Sequence, residues 1–216
     1  GIYLPQTPRL TVNATSIAYS WDNDSRNSQL PGPYSYKLEV SSDNFSHAWT
    51  QTAFYPEYTK TFNDLMGNTS YKTRITPQNR TGTNDWSDGV STTLFGSTVT
   101  KPNIVNGLKF AVVGDPIRQV NVSWGPNGNN PANTAYRVIL ATESFGSMVD
   151  SLDIPKGGPP TAEFPTPGTH LLANQQYFVR VRALALDGVN DSEFVQSSTF
   201  TAPLKPQGLQ AVDASS

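Results

Sequence analysis

The sequence predicts an all-β chain built from two homologous sandwich domains in tandem. Apolar and polar residues alternate at period two, which places one face of each strand in a core and the other face in water. The 17 prolines and 16 glycines punctuate these alternating runs, and no long stretch keeps a helical period. A sequence pattern recurs after roughly 100 residues, which is the size of one β-sandwich.

The repeat consists of a strand ending in tryptophan, a strand opening on tyrosine, and a later L-x-x-N-x-x-Y motif. The matched positions are Trp21, Tyr36, Leu65, Asn68 and Tyr71 in the first copy and Trp124, Tyr136, Leu171, Asn174 and Tyr177 in the second. From the alternation we expect two buried cores, one around Trp21 and one around Trp124. The other predicted core residues are Tyr36, Leu38, Val40, Leu65, Tyr71 and Ile75, and Tyr136, Val138, Leu171, Tyr177, Val179 and Val181.

At these positions the sequence resembles the fibronectin type III family. Residues 171–183 carry the family pattern L-x(5)-Y-x-V-x-V-x-A in full, whereas the first copy has Thr73 at the first valine and Pro77 at the alanine. The resemblance implies two consecutive immunoglobulin-like sandwiches of seven strands each. It also implies a tyrosine corner at Tyr71 and at Tyr177, in which the hydroxyl bonds the backbone a few residues upstream.

The resemblance also sets the expected domain limits. They are an N-terminal segment over residues 1–4, domain 1 over 5–98, domain 2 over 99–203, and a C-terminal tail over 204–216. The tail resembles the first strand of a third repeat, with Leu209 and Val212 as its apolar positions. We expect it to add as a strand to a neighbouring subunit, head to tail. The alternatives are that it folds back on domain 2 or is held by a crystal contact.

Composition excludes several classes of function. The absence of cysteine excludes disulfide scaffolds, thiolate catalysis and thiolate zinc sites. A net charge of −2 lacks the basic surface of a nucleic-acid-binding protein, and no apolar run approaches the 18 residues of a membrane span. Charged residues make up 15%, against a usual ~25%, which favours an exported protein whose leader has been removed. The low charge therefore predicts an extracellular or cell-surface location, and residues 42–46 resemble those of bacterial members of the family.

No catalytic or cofactor-binding constellation is recognisable. His47 and His170 lie at non-equivalent places in the two repeats, and neither accompanies a Gly-x-Ser-x-Gly motif. Their simplest interpretation is as surface loop residues, and arginines 180 and 182, which alternate with valines, should face solvent. Asp22 and Asp24 offer oxygen atoms at alternate positions and form a weak calcium candidate, with an ordinary polar loop as the alternative.

Two tryptophans and seven sequons remain as candidate recognition and modification sites. Trp49 and Trp86 fall outside the predicted core, and each either packs against its own domain or stacks on a sugar or protein partner. The Asn-x-Ser/Thr sequons are candidate N-glycosylation acceptors, and the alternative is a surface rich in serine, threonine and asparagine. They are Asn13, Asn23, Asn44, Asn68, Asn79, Asn121 and Asn190.

Two functions compete on this evidence. The first is a non-catalytic structural protein, a spacer or subunit of an extracellular assembly or filament held by protein–protein contacts, with copies of itself as candidate partners. The second is a carbohydrate- or protein-binding accessory module of a larger secreted enzyme or adhesin. Catalysis by this chain itself is not expected, because no nucleophile–base pair or metal cluster can be assembled from the sequence.

Overall fold

The computed structural model describes residues 3–29, 34–78, 93–113, 119–166 and 171–203, with the side chains at 28, 29 and 93–95 excepted. The chain divides into two compact units. Unit 1 comprises Gly1–Asn103, Asn127–Thr134 and Leu184–Ser192, and unit 2 comprises Ile104–Pro126, Ala135–Ala183 and Glu193–Ser216. The domain limits expected from the sequence stay a prediction. Five singled-out residues lie outside the described ranges, namely Asn79, Trp86, His170, Leu209 and Val212.

The described part of unit 1 is a sandwich of seven strands in two antiparallel sheets. The strands are β1 (Gln6–Val12), β2 (Ile17–Asp22), β3 (Ser35–Ser41), β4 (Trp49–Phe54), β5 (Thr59–Phe62), β6 (Ser70–Gln78) and β7 (Thr93–Val99). One sheet has the order β1-β2-β5 and the other the order β4-β3-β6-β7. A short 3-10 turn over Ser25–Gln29 follows β2.

The core of unit 1 holds the side chains that the period-two pattern predicts. Trp21 is 2% exposed, and its ring lies edge-on to that of Tyr36 with centroids 6.1 Å apart. Thr73, at the valine position of the family pattern, is fully buried, and its hydroxyl is hydrogen-bonded to that of Tyr19. Burial raises the pKa of Tyr19 to about 12. The threonine is therefore compatible with the core because its polar atom has a buried partner.

Unit 2 repeats the architecture with the same strand order. Its strands are β8 (Asn106–Val113), β9 (Gln119–Gly125), β10 (Ala135–Thr142), β11 (Ser147–Ile154), β12 (Thr161–Phe164), β13 (Gln176–Leu184) and β14 (Val195–Phe200). The sheets are β12-β9-β8 and β11-β10-β13-β14. Trp124 is 5% exposed beside Tyr136, and Val179 and Val181 are fully buried, whereas Leu171 packs against this core only partly buried. The predicted fold class is confirmed, with seven strands among the described residues of each unit.

Both tyrosine corners are present as the resemblance implies. The backbone N–H of Met66 donates to the Tyr71 hydroxyl at 3.0 Å, and the backbone N–H of Leu172 donates to the Tyr177 hydroxyl at 2.8 Å. Each bond spans five residues and fixes the connection that leads into strand β6 or β13. Among the described residues, no helix has the length and apolar character needed to cross a membrane.

Candidate interaction surfaces

Trp49 lies on β4, at the edge of the four-stranded sheet of unit 1. Its side chain is 43% exposed, and one part of the ring contacts Tyr71 with centroids 5.9 Å apart. Together with His47 and Ala48 it lines a shallow depression of about 120 Å³. The ring therefore packs against its own unit and still presents an aromatic surface to solvent.

The loop before Trp49 is braced by the carboxylate of Asp43. Its Oδ1 accepts the Ser41 hydroxyl at 2.7 Å and the backbone N–H of His47 at 2.9 Å, and its Oδ2 lies 2.6 Å from His47 Nδ1. Hydrogen bonds from the backbone N–H of His47 and, to a smaller extent, from the Ser41 hydroxyl hold the pKa of Asp43 well below its usual range. His47 is a highly exposed loop residue, and Asp43 is a partner that the sequence did not identify. Because the carboxylate stands between serine and histidine, the hydroxyl is bonded to Asp43 and not to the imidazole, and the order of the three groups differs from that of a hydrolytic triad.

Asp22 and Asp24, the candidate calcium ligands, form ion pairs with two different arginines. Asp22 pairs with Arg9 at 2.6 Å, and Asp24 pairs with Arg26 at 2.7 Å while also accepting a bond from Gln6. The side-chain hydrogen bond from Arg26 lowers the pKa of Asp24 to about 2. Within the described ranges, no group of three or more acidic or histidine residues is placed to hold a metal ion. Both carboxylates are thus partners in ion pairs at the start of unit 1, and the calcium site stays a prediction.

The described sequons differ sharply in accessibility. Four of the asparagines are exposed, namely Asn13, Asn44, Asn121 and Asn190. Asn23 is half-buried and its side-chain oxygen accepts the Tyr34 hydroxyl at 3.1 Å. Asn68 is fully buried, so its amide is inaccessible to a glycosyl donor in the folded chain.

Asn68 instead joins three segments of unit 1, which no pattern in the sequence indicated. Its Nδ2 donates to Thr134 Oγ1 and to the Leu184 carbonyl, both at 3.0 Å, and more weakly to the Asn133 carbonyl at 3.4 Å. The backbone N–H of Leu186 donates to its Oδ1 at 2.6 Å. One side chain therefore bonds both of the later segments of unit 1, 127–134 and 184–192, to its first segment.

The stretch after β7 is also hydrogen-bonded within unit 1. Thr100 exchanges bonds with Thr69, and its hydroxyl donates to the Met66 carbonyl at 2.7 Å. The backbone N–H of Lys101 donates to the Asn13 carbonyl at 3.2 Å. The backbone of Asn103 is held on both sides by the Asn129 carboxamide, at 2.7 and 2.9 Å. This stretch therefore has fixed partners along its length.

A second feature that the sequence did not indicate is an arginine stacked on a phenylalanine on the outer face of each four-stranded sheet. In unit 1 the guanidinium carbon of Arg74 lies 4.3 Å from the Phe45 ring centroid. The edge of the same guanidinium donates to both carboxylate oxygens of Glu39, at 2.8 and 3.2 Å. Arg74 thus uses its face for the ring and its edge for an acid.

In unit 2 the equivalent arginine is covered by two rings. The guanidinium carbon of Arg180 lies 4.6 Å from the Phe145 centroid and 4.4 Å from that of Phe194, and Arg182 also lies over Phe194 at 4.9 Å. Both arginines alternate outward from the core, as expected, but they are half-buried beneath these rings and not freely solvated. Phe45 and Phe145 have positive φ values of 67° and 72°, so the two loops share the same unusual turn.

Solved structures of tandem fibronectin type III domains are similar to this chain. A two-domain segment of chicken tenascin covers 91% of it and 99% of its own length, at 14% identity and a TM-score of 0.60. Domains FN1 to FN3 of chicken contactin (CNTN1) cover 94% of it and 68% of their own length, at 15% identity and a TM-score of 0.46. No protein-family model and no curated protein sequence matches the chain. The likeness to the tenascin segment establishes the fold as two consecutive fibronectin type III sandwiches.

Proposed function

We propose that the chain is a non-catalytic structural protein of the extracellular space or cell surface. It acts as a spacer or subunit of an assembly held by protein–protein contacts, and copies of itself are the first candidate partners. The fold is compatible with this role, because sandwiches of this kind present two sheet faces and several strand edges for contact while the core stays closed.

The observation that carries the proposal is the anchoring of residues 100–103 and of the segments fixed by Asn68. A spacer transmits position only if the stretches that leave a sandwich are held, and a free glycine- or serine-rich linker would not do this. In unit 1 the backbone of Thr100, Lys101 and Asn103 is hydrogen-bonded to side chains or carbonyls of the same unit. Such bonds favour an element that keeps its shape over a flexible tether.

The acidic and basic groups support a non-catalytic role. A general acid or base must reach a substrate, with its pKa adjusted near the working pH. The carboxylates of Asp24 and Asp153 instead pair with arginines, which lower the pKa of each against the opposing effect of burial. Burial raises the pKa of Glu39, but Arg74 and Lys37 together lower it further than burial raises it. These carboxylates are therefore charged members of ion pairs and are not poised to transfer protons.

Sedimentation of the intact chain over a wide concentration range tests the proposal, together with binding to a glycan array. A structural subunit that contacts its own copies should show an average mass that rises with concentration, and it should bind no glycan. A chain that remains strictly monomeric at the highest concentration would exclude copies of itself as partners.

The second candidate, an accessory module that binds carbohydrate, is favoured by one observation. Trp49 exposes nearly half of its ring beside the depression formed with His47 and Ala48, and aromatic rings stack on the apolar faces of sugars. Specific binding on the glycan array that is lost in Trp49→Ala and retained in Trp21→Phe would favour this function over the structural one. Trp21 is a suitable control because it is buried in the core of the same unit.

A further inference from the structure

The outer face of the four-stranded sheet in unit 2 differs from that of unit 1 at one position. The repeats align Glu39 with Ile139 and Arg74 with Arg180. Glu39 is 8% exposed and Ile139 is 9% exposed, so both side chains occupy a covered place on their sheets. In unit 1 the side chain at this position is a carboxylate that pairs with the arginine. In unit 2 it is the apolar side chain of isoleucine, which cannot accept a hydrogen bond.

Within the part of the chain that the structure describes, Arg180 has no carboxylate partner like that of its counterpart. Arg74 Nε donates to Glu39 Oε2 at 2.8 Å, whereas Arg180 Nε is buried with no hydrogen-bond acceptor among the described residues. The neighbouring Arg137 is already paired with Asp153, at 2.6 and 2.8 Å. Among the described residues, Arg180 is held only by the rings of Phe145 and Phe194.

Stacking leaves the hydrogen-bonding capacity of this guanidinium unused. Aromatic rings contact the flat face of the group, while its five N–H donors point outward in the plane. A planar carboxylate fits the two terminal nitrogens side by side, as an arginine–carboxylate pair commonly does. An arginine oriented by aromatic rings has little conformational entropy left to lose on binding.

We propose that this face of unit 2 is a docking surface for a protein partner that presents a glutamate or aspartate side chain to Arg180. The inference rests on the proposed function, because it names the surface for one of the protein contacts. Two arguments select an acidic protein segment as the occupant. No described carboxylate pairs with Arg180 where unit 1 uses a glutamate, and arginine together with aromatic rings is the composition of protein-interface hot spots. Phe200, on the outward side of β14, adds an apolar surface that is 67% exposed.

The first experiment titrates the intact, isotope-labelled chain with a hexaglutamate peptide at low ionic strength, with hexaglutamine as the uncharged control. The Nε–Hε resonance of Arg180 should move with hexaglutamate and stay in place with hexaglutamine, and that of Arg74 should move with neither. Arg180→Gln should weaken hexaglutamate binding by about tenfold or more, whereas Arg137→Gln should change it by less than about twofold. If the two variants lost equal affinity for hexaglutamate, the binding would be explained by general charge attraction, and the proposal would be overturned.

A reciprocal exchange between the repeats gives a sharper test and does not depend on the folding of Arg180→Gln. Ile139→Glu places a carboxylate where unit 1 has one, so Arg180 should become paired within the chain and hexaglutamate binding should fall by about tenfold. Glu39→Ile should free Arg74 and raise the number of bound hexaglutamate molecules from one to two. Unchanged binding in Ile139→Glu would refute the proposal.

A heparin oligosaccharide serves as the competing probe. Tighter binding of heparin than of hexaglutamate, lost in Arg180→Gln, would assign the surface to a sulfated glycan and overturn the protein partner. The outcome is separable from the proposed function. Absence of hexaglutamate binding in a chain that still self-associates contradicts only this inference, whereas glycan-array binding through Trp49 contradicts only the proposed structural role.

Discussion

Replacing Asn68 by glycine should destabilise unit 1 far more than replacing Asn174 by glycine destabilises unit 2. The two asparagines occupy the same place in the L-x-x-N-x-x-Y motif and have nearly equal positive φ values, 54° and 52°. Glycine tolerates this backbone conformation, so the substitution removes the side chain without adding strain. Asn68 is fully buried and Asn174 is exposed, which makes the second variant a matched control.

The size of the effect follows from the bonds that are lost. The Leu186 N–H, the Leu184 carbonyl and the Thr134 hydroxyl each lose a partner at 2.6 to 3.0 Å. Each lost bond costs about 1 kcal/mol, near the lower end of the range for buried groups, because the two leucines are half-buried and the buried Thr134 keeps its bond to the Asn130 carbonyl. We therefore expect Asn68→Gly to lower the free energy of unfolding of unit 1 by about 2 to 3 kcal/mol. Asn174→Gly should lower that of unit 2 by less than about 0.5 kcal/mol.

Urea denaturation of the full chain and amide hydrogen exchange measure the two consequences separately. Denaturation reports the loss of stability, and exchange at the Leu186 amide reports the particular bond to Asn68, since that N–H should lose its protection in the variant. A difference of less than about 0.5 kcal/mol between the two variants, or a Leu186 amide that stays protected, would refute this account of the Asn68 side chain.

Four further outcomes are expected. Trp124→Ala should cost ~3–5 kcal/mol in chemical denaturation, because it empties the centre of the unit 2 core, and a loss under about 1 kcal/mol would contradict the packing. Tyr71→Phe and Tyr177→Phe should each cost about 1 to 2 kcal/mol by removing a buried acceptor, and equal thermal midpoints for variant and parent would argue against the tyrosine corners. Asp24→Asn should lower the thermal midpoint at pH 7. Since hydrogen bonding lowers the pKa of Asp24 from 3.8 to about 2, this deficit should shrink as the pH falls through that interval, whereas a constant deficit would exclude the carboxylate charge as its cause. Deleting residues 204–216 should reduce particle mass in light scattering, and an unchanged mass would rule out strand donation by the tail.

The sequence was sufficient for the fold because the core follows from local periodicity. Trp21, Tyr36 and their equivalents are buried by alternation within single strands, and the tyrosine corners close over five residues. Such short-range features repeat visibly when a domain is duplicated.

The candidate sites were less predictable because they depend on residues distant in sequence. The motif treats Asn68 and Asn174 alike, yet the bonds of Asn68 reach partners between 65 and 118 positions away. Glu39 and Arg74 are 35 residues apart and meet only through the register of β3 and β6. One sequence signal was available, since aligning the repeats sets an isoleucine against that glutamate while both arginines are kept.

Unit 1 consists of segments that are far apart in sequence and are therefore synthesised at different times. Its last segment, beginning at Leu184, is synthesised about 80 residues after Asn103, which closes the first and longest segment. At a translation rate of about 5–20 residues per second, the ribosome needs roughly 4 to 16 s to supply it. During that interval the Asn68 carboxamide has neither the Leu184 carbonyl nor the Leu186 N–H to bond. The seven described strands of the first sandwich end at Val99, so this sandwich can form before Leu184 is synthesised, and only the bonds of the Asn68 side chain are delayed.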